Sequence, residues 1–302
     1  MKYVITGATS FIGLELINYL LSLQHQVVAV CRPASKGVSS IPVGVEIVIS
    51  EMSDYGNLYK DIEQADVFVN LAWGGTSHDG RNVQDVQKEN VANTIAAMFA
   101  ADKMGCQVFI ETGSQAEYGT VLTKISENTP CRPFSEYGKA KLEVKNRLFE
   151  LSKQLGLKYI HLRIFSLFGE DDHPWTLVMS CLKKMVNNES VDLSPCTQKC
   201  NFLYVKDAVK QIYLLCQYVL RKADYHAEVF NIASKDTRVL KNFVEEMYVL
   251  SESRSELNYG TVTPANVVSL DPDISKAEAA IGFVSDYVFK DIINNIIRNY
   301  LR

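Results

Sequence analysis

The strongest constraint on the fold is the strand–turn–helix pattern at the start of the chain. Residues 2–6 are an apolar run suited to a strand, and residues 11–24 carry an amphipathic helical pattern. The turn between them is bracketed by Gly7 and Gly13. Gly7 permits a tight turn, whereas Gly13 lets the helix pack closely against the strand. A unit of this kind predicts a parallel sheet covered by helices.

Further apolar strands and amphipathic helices alternate through the first half of the chain. We predict strands at residues 26–31, 45–49, 67–71, 107–111 and 158–163, and helices at 57–64, 83–104 and 137–155. This alternation predicts an α/β fold with a Rossmann-like, doubly wound parallel sheet. We place the sheet domain at residues 1–168 and a smaller, mixed α/β lobe at 169–302, where prolines interrupt the pattern. A strand at 229–233 is expected to return to the main sheet, which would interleave the two parts.

The glycine-bracketed turn also has the properties of an anion-binding site. At the start of the first helix, backbone N–H groups have no intrahelical acceptor, and a helix start of this kind can bind the pyrophosphate of a dinucleotide. Ser10 stands where the usual motif has its middle glycine, and its small side chain still permits close approach of the ligand. We therefore predict a dinucleotide held by Gly7, Ser10, Phe11, Ile12 and Gly13. The alternative is a glycine turn with no ligand.

The residues after the second predicted strand bear on the choice between NAD(H) and NADP(H). An NAD site usually has an acid there, which accepts hydrogen bonds from the adenosine ribose. This chain has Cys31 instead, followed by Arg32 and Lys36. Because arginine binds phosphate in a bidentate manner, the pattern favours NADP(H), with NAD(H) as the alternative. The other interpretation is that both side chains are solvated loop charges. Glu51 and Met52 follow the third strand and are expected to flank the adenine.

A tyrosine and a lysine one helical turn apart indicate the chemistry. Tyr137 and Lys141 are four positions apart and therefore share one face of the predicted helix. A free phenol has a pKa of about 10, and a nearby ammonium lowers it by stabilising the phenolate. Ser114 and Thr112 follow a predicted strand and would hydrogen-bond a substrate oxygen from the same loop. The set predicts proton transfer at a carbonyl or an alcohol.

Composition and charge argue against several other classes of protein. The formal net charge is -4 and no basic block is present, which argues against nucleic-acid binding. No stretch reaches about 18 consecutive apolar residues, so no membrane span is expected. The N-terminus lacks a signal-peptide layout, and the seven scattered cysteines do not have the spacing of a zinc site. We therefore expect a cytoplasmic protein with free thiols and no metal.

Further segments follow in order along the chain. They are residues 70–72 (NLA), 90–94 (NVANT), 112–119 (TGSQAEYG), 162–169 (LRIFSLFG), 201–208 (NFLYVKDA), 230–234 (FNIAS) and 273–277 (DISKA). With the glycine turn and the Tyr/Lys pair, they resemble the extended short-chain dehydrogenase/reductases of the nucleotide-sugar epimerase and reductase type. The resemblance covers nearly the whole chain. It implies that the cofactor is lined by Leu71, Ala72, Asn90, Thr112, Tyr137, Lys141 and Phe165.

The same resemblance implies roles for the three candidate catalytic residues. Tyr137 would exchange a proton with the sugar oxygen, and Ser114 would orient that oxygen. Lys141 would hold the nicotinamide ribose and lower the pKa of Tyr137. Hydride would then move between nicotinamide C4 and a ring carbon of the sugar, at the 4-position.

The region expected to bind substrate departs from the family pattern at two positions. Ser166 stands where the family usually has an asparagine near the substrate. Cys200 stands where an arginine often clamps the nucleotide diphosphate, so Lys199 or Arg238 would have to supply the positive charge. Trp73 either lines the sugar pocket or is a packing residue.

The basic loop after the second strand favours one reaction among those that the family performs. We predict an NADPH-dependent reductase of a nucleotide-activated 4-keto-6-deoxy sugar, with Tyr137 as proton donor. A nucleotide-sugar 4-epimerase with retained NAD is the main alternative. A reductase of other small carbonyl compounds and a non-catalytic dinucleotide sensor are minor ones, although such sensors usually lack the Tyr/Lys pair.

The two long predicted helices carry apolar residues beyond a single stripe. These residues are Ile95, Met98, Phe99, Leu148 and Phe149. Because the family often dimerises through such helices, we expect a homodimer joined by a four-helix bundle. The alternative is that these side chains are buried within the monomer.

Overall fold

The alternating strands of the first half form a seven-stranded parallel sheet. The computed structural model describes residues 1–77, 79–263 and 268–301. Within these residues the strands are β1 (Lys2–Thr6), β2 (Gln26–Cys31), β3 (Glu46–Ile49), β4 (Val67–Asn70), β5 (Val108–Ser114), β6 (Lys158–Ile164), β7 (Ser166–Phe168), β8 (Val191–Leu193), β9 (Lys199–Tyr204), β10 (Ala227–Ile232), β11 (Thr237–Val239) and β12 (Leu257–Tyr259). The large sheet has the order β10-β6-β5-β4-β1-β2-β3, with every neighbouring pair parallel. This confirms the predicted Rossmann-like α/β class.

Helices cover both faces of this sheet because its strands are apolar on both sides. The helices are α1 (Phe11–Ser22), α2 (Gln84–Lys103), α3 (Glu136–Leu155), α4 (Leu177–Val186), α5 (Val205–Leu220), α6 (Leu240–Leu250), α7 (Ser275–Ile281) and α8 (Phe289–Ile296). Successive strand residues point to opposite faces. Thus Ile5 packs in one core with Leu16 of α1, whereas Val4 packs in the other with Met98 of α2. Both strand residues are fully buried, as expected for a central parallel strand.

The strand order reverses between β1 and β4, and this reversal positions the site. In open α/β sheets, ligands bind outside the carboxyl ends of the strands at such a switch point. The glycine turn follows β1, residues 71–75 follow β4, and Ser114 ends β5. All three therefore lie at the same edge of the sheet.

The residues after β6 form smaller sheets with a core of their own. β7, β9 and β11 form a three-stranded sheet, and β8 pairs with β12. Helices α4, α6 and α8 pack there around a group of aromatic rings. Phe243 and Phe289 meet edge-on with ring centroids 4.8 Å apart. The chain nevertheless re-enters the large sheet at β10, which pairs with β6. The division at residue 168 stays a prediction.

The helix predicted at residues 57–64 is present only in part and is not an α-helix. A 3-10 helix spans Met52–Lys60 instead, and the chain then continues without a helix to β4. Glycine, aspartate and asparagine are poor α-helix formers, and Asp54, Gly56 and Asn57 all lie in this segment. The tighter 3-10 geometry is common in such short connectors.

The fifth strand is longer than predicted. It does not end at residue 111 but continues to Ser114, because its ladder with β6 extends to the pair Ser114–Ile164. Thr112 and Ser114 are therefore held at the carboxyl end of a strand inside the sheet rather than in a loop.

Two further observations concern the protein's environment. In the part of the chain that the structure describes, no helix has the length and apolar character needed to cross a membrane. All seven cysteines are free thiols, as their scattered spacing predicted.

Candidate active site

The turn after β1 has no room for side chains at its two glycines. Gly7 has a φ of +64°, and a Cβ there would lie 2.8 Å from the backbone nitrogen of Ala72. A Cβ on Gly13 would lie 2.5 Å from the carbonyl oxygen of Gly7. The backbone therefore approaches the strand ends more closely than any larger residue permits. This is the shape that a bound pyrophosphate requires.

The start of α1 leaves backbone donors available beside this turn. Ser10 caps the helix, with its Oγ accepting a hydrogen bond of 3.1 Å from Gly13 N. Helix geometry gives the N–H groups of Phe11 and Ile12 no intrahelical acceptor. Together with the helix dipole, these groups favour an anion at this position. The turn thus fits the pyrophosphate of a dinucleotide.

A groove of about 400 Å³ lies beside the turn. The predicted cofactor residues that line it are Gly7, Ser10, Arg32, Met52, Leu71 and Ala72. Thr9, Tyr55 and His173 line it as well, although the sequence did not point to them. Lys36 and Glu51 lie outside the lining, at the starts of two 3-10 helices. No acid is present among the described residues of the lining, in which arginine is the only permanent cation.

The three candidate catalytic residues meet in a second cavity, of about 390 Å³. Its lining includes Ser114, Tyr137, Lys141, Thr112, Ile12, Phe165, Ser166 and Trp73. Both cavities are lined by Leu71, Trp73 and Thr76, so the second cavity adjoins the groove. Residues from β5, α3 and the loop after β4, far apart in the sequence, therefore come together beside the groove.

Tyr137 and Lys141 occupy one face of α3, in different surroundings. The Lys141 ammonium is buried and donates to the backbone oxygen of Thr112 at 2.6 Å. It lies 3.5 Å from the Trp73 ring centroid, in a cation–π contact. The Tyr137 ring meets Trp73 edge-on, with centroids 6.0 Å apart. On another side, the guanidinium carbon of Arg81 lies 5.0 Å from the centre of the phenol ring.

Ser114 is held in place by a buried carboxylate. Its N–H donates to Glu117 Oε1 at 2.8 Å, while its Oγ accepts from Ala116 N at 3.1 Å. Glu117 also contacts His161 Nε2 and Arg163 Nε, each at 2.8 Å. Burial alone would raise the pKa of Glu117, but these partners together hold it at about 2. Glu117 therefore links the backbone of Ser114 to His161 and Arg163 on β6.

Asn90 holds the loop after β4, which forms part of the wall of the site. Its Oδ1 accepts from Gly74 N and its Nδ2 donates to Gly74 O, both at 2.9 Å. Gln87, one turn earlier on α2, accepts from the Trp73 indole N–H at 2.9 Å. The predicted cofactor residue Asn90 thus fixes the loop after β4 and does not itself line either cavity.

The two basic residues predicted to bind substrate lie outside both cavities and contact acids. Lys199 Nζ lies 2.6 Å from Asp271 Oδ2. Arg238 lies 2.8 Å from an oxygen of Asp236 and 2.9 Å from one of Glu246. In addition, Arg238 stands directly opposite Cys200 in the antiparallel pair of β11 and β9. Their binding roles stay predictions.

Sequence reasoning missed two charged residues that shape the site. Glu111 is buried against Lys141, and Glu117 anchors Ser114. Two acids close together in an otherwise apolar strand and its following turn are a usable signal, because a buried acid requires a partner.

Comparison with known proteins adds independent information. The chain matches the NAD-dependent epimerase/dehydratase family over residues 3–233. It is 24% identical to dTDP-4-dehydro-6-deoxyglucose reductase of Escherichia coli, in an alignment that covers 98% of this chain and 96% of that protein. It is also 24% identical to CDP-abequose synthase of Salmonella muenchen, over 94% of this chain and 90% of the relative.

Solved structures share the fold at low sequence identity. A UDP-glucose 4-epimerase from Thermotoga maritima, crystallised with UDP-glucose, has a TM-score of 0.89 at 19% identity and covers 100% of both chains. A UDP-glucuronic acid 4-epimerase from Bacillus cereus, in complex with UDP-glucuronic acid and NAD, has a TM-score of 0.85 at 21% identity over 99% of both chains. The family match itself takes in the glycine turn, Ser114 and the Tyr/Lys pair. The chain therefore belongs to the NAD-dependent epimerase/dehydratase family, and it is an enzyme of the extended short-chain dehydrogenase/reductase type.

Proposed function

We propose that the protein is an NADPH-dependent reductase of a nucleotide-activated 4-keto-6-deoxy sugar. The observation that carries this proposal is the meeting of Ser114, Tyr137 and Lys141 in a cavity that adjoins the glycine-bracketed groove. The name of the Escherichia coli relative, a dTDP-4-dehydro-6-deoxyglucose reductase, supports this reaction over most of both chains. Equilibrium dialysis with nucleotide sugars tests the substrate class, and absence of binding would remove this reading and its epimerase alternative.

The residues of the cavity divide the chemistry between them. Bound NADPH would supply a hydride to the sugar carbonyl carbon. Tyr137 donates the proton that the carbonyl oxygen gains, and the Ser114 hydroxyl orients that oxygen by a hydrogen bond. Lys141 holds the nicotinamide ribose beside the phenol. The apolar side chains of Ile12 and Trp73, which line the same cavity, reduce access of water to the reacting atoms.

Arg238 is the better of the two candidates for the substrate diphosphate. Directly opposite residues of an antiparallel pair share one face of the sheet, and Arg238 is opposite Cys200, where the family often has arginine. Lys199 is the neighbour of Cys200 on the same strand, so its side chain points to the other face. An incoming diphosphate would compete with Asp236 and Glu246 for this guanidinium.

A nucleotide-sugar 4-epimerase is the second candidate. It is favoured by the solved structures of 4-epimerases, which share the fold over the whole chain. Such an enzyme takes hydride from the sugar and returns it to the other face, so the cofactor stays bound and is not consumed. Protein that copurifies with NAD and interconverts a nucleotide sugar without added cofactor would favour this reading.

Selection of NADPH is assigned to Arg32. It lines the groove just after β2, where Cys31 replaces the usual acid, and the lining holds no acid among its described residues. We expect at least tenfold tighter binding of NADPH than NADH, about 1.4 kcal/mol. Arg32→Ala should abolish most of that preference, measured by calorimetric titration of cofactor-stripped protein. Lys60→Ala, an exposed cation away from the groove, serves as the control. Equal binding of both cofactors by the wild type would contradict the assignment.

Dimerisation through α2 and α3 is also part of the proposal. Ile95, Phe99 and Leu151 line an apolar groove between these helices, and Phe99 is 43% exposed. By contrast, Met98 and Leu148 are fully buried in the monomer. Burial within the monomer therefore accounts for two of the five apolar residues from which a dimer was predicted. Phe99→Glu should convert a dimer to a monomer in light scattering after gel filtration, because it buries a charge in the interface.

The control for this experiment is Val249→Glu. Val249 is 70% exposed on α6, away from the α2–α3 groove, so the same charge there should leave the dimer intact. A monomeric wild type, or a Phe99→Glu variant that remains dimeric, would contradict this part of the proposal.

A further inference from the structure

A buried acid lies beneath the catalytic pair. Glu111 on β5 is fully buried, and its Oε1 lies 3.0 Å from Lys141 Nζ. Its Oε2 accepts a hydrogen bond of 2.6 Å from Nδ2 of Asn70 on β4. Asn70 Oδ1 in turn accepts one of 2.6 Å from the Thr6 hydroxyl on β1. The carboxylate is therefore fixed by a chain of hydrogen bonds across three adjacent strands.

This arrangement also fixes the Lys141 ammonium. The side chain is 2% exposed, and it donates both to Glu111 and to the backbone oxygen of Thr112. An ammonium in such a site is strongly disfavoured without a counter-charge. Burial raises the pKa of Glu111, and its attraction to Lys141 opposes that rise. Trp73 packs against the ammonium, with its ring centroid 3.5 Å from Nζ.

The other ionisable groups near this pair contact other partners. His161 is opposite Glu111 in the β5–β6 ladder, but its Nε2 contacts Glu117 at 2.8 Å. The hydroxyl of Tyr159 lies 2.8 Å from His161 Nδ1. Arg81 lies on the cavity side, over the phenol ring of Tyr137. The one carboxylate that contacts Lys141 among the described residues is therefore Glu111.

We propose that Glu111 is a positioning residue, which fixes the Lys141 ammonium beside Tyr137 and offsets its charge. The inference rests on the proposed roles of the Tyr/Lys pair but not on the identity of the sugar. Without the carboxylate, the buried ammonium would be strongly disfavoured and would leave this position. With the carboxylate present, Lys141 stays in place beside Tyr137 to hold the cofactor.

Trp73 provides a readout of the ammonium that needs no substrate. The chain has two tryptophans, so Trp175→Phe leaves Trp73 as the only tryptophan, which is excited selectively at a wavelength that tyrosine does not absorb. In this background, Glu111→Gln should change the Trp73 emission spectrum, since the ammonium loses its counter-charge and leaves the ring. Glu143→Gln is the matched control: it also removes a carboxylate from a salt bridge, but with Arg147 on the exposed surface of α3. The control should leave the emission unchanged.

Kinetics then tests the effect on proton donation. Glu111→Gln should lower kcat for NADPH oxidation about tenfold or more, since a small displacement of a catalytic group is costly. The alkaline limb of the pH–rate profile should move to lower pH, because removal of a negative charge from the site favours loss of a proton there. Glu111→Asp should keep the wild-type alkaline limb, since it retains the charge, while its shorter side chain lowers kcat.

Two results would overturn the proposal. One is wild-type Trp73 emission in Glu111→Gln, and the other is a wild-type kcat and pH profile in that variant. If Glu111→Gln does not fold, Glu111→Asp decides, and an unchanged kcat there overturns the positioning role. If even the wild type fails to reduce any nucleotide keto sugar, the proposed function fails, while the emission comparison still decides the role of Glu111.

Discussion

Tyr137→Phe is expected to lower kcat for carbonyl reduction by about 10²–10⁴-fold, because the variant lacks the proton donor. The phenol of Tyr137 lines the catalytic cavity with Ser114 and Lys141, whereas the glycine-bracketed groove is built from other residues. Cofactor affinity should therefore stay close to that of the wild type. The two quantities are measured by NADPH oxidation at saturating substrate and by calorimetric titration with NADPH.

The control for this prediction is Tyr287→Phe. Tyr287 is 47% exposed and lies outside both cavities, so removal of its hydroxyl should leave kcat unchanged. Full activity of Tyr137→Phe would contradict the assigned proton donor. The non-catalytic sensor would instead be favoured if the wild type binds cofactor without turnover and Tyr137→Phe binds it equally well.

Glu117→Gln is expected to lower the free energy of unfolding at neutral pH by about 3–5 kcal/mol, the cost of breaking a buried ion pair from one side. Glu117 is fully buried and contacts both His161 and Arg163 at 2.8 Å. Its neutral replacement leaves a buried guanidinium without a counter-charge and weakens the anchor of Ser114. Urea denaturation at neutral pH measures the loss. Glu143→Gln, which breaks an exposed salt bridge with Arg147, should cost less than about 1 kcal/mol.

The pH dependence of stability provides a second test of Glu117. Its pKa is lowered in the folded protein from an ordinary value of 4.5 to about 2. The stabilisation is therefore fully present above about pH 4.5 and is lost as the pH falls from there towards 2. The loss corresponds to about 3 kcal/mol. The difference in free energy of unfolding between the wild type and Glu117→Gln should therefore decrease as the pH falls over this range. A difference that stays constant would contradict the lowered pKa of Glu117.

The parts of the fold that were predictable rest on local patterns. The glycine turn, the alternation of apolar strands with helices and the i, i+4 spacing of Tyr137 and Lys141 are all visible within short windows of sequence. The fold class followed from them, and so did the expectation of a site at the turn after β1. The 3-10 helix over Met52–Lys60 did not, because apolar spacing in a short segment does not separate the two helix types.

The charge partners in the site were not predictable because they are distant in sequence. Lys199 contacts Asp271, 72 positions away, and Lys141 contacts Glu111, 30 positions away. Neither separation corresponds to a helix or strand period, so only the folded chain brings these groups together. The end of β5 at Ser114 was missed for a related reason: its extension depends on the ladder with β6. A sequence therefore shows which residues have suitable chemistry, but it does not readily show which of them already contact an opposite charge in the fold.

The most direct test of the central claim follows a deuterium label from the cofactor to the sugar. Wild-type protein is incubated with NADPH dideuterated at nicotinamide C4 and a nucleotide-activated 4-keto-6-deoxy sugar, and the product is examined by NMR and mass spectrometry. The reductase reading predicts stoichiometric oxidation of NADPH and one deuterium at C4 of the sugar. Absence of NADPH oxidation, together with unlabelled 4-epimerisation of a nucleotide sugar by protein that retains NAD, would contradict it.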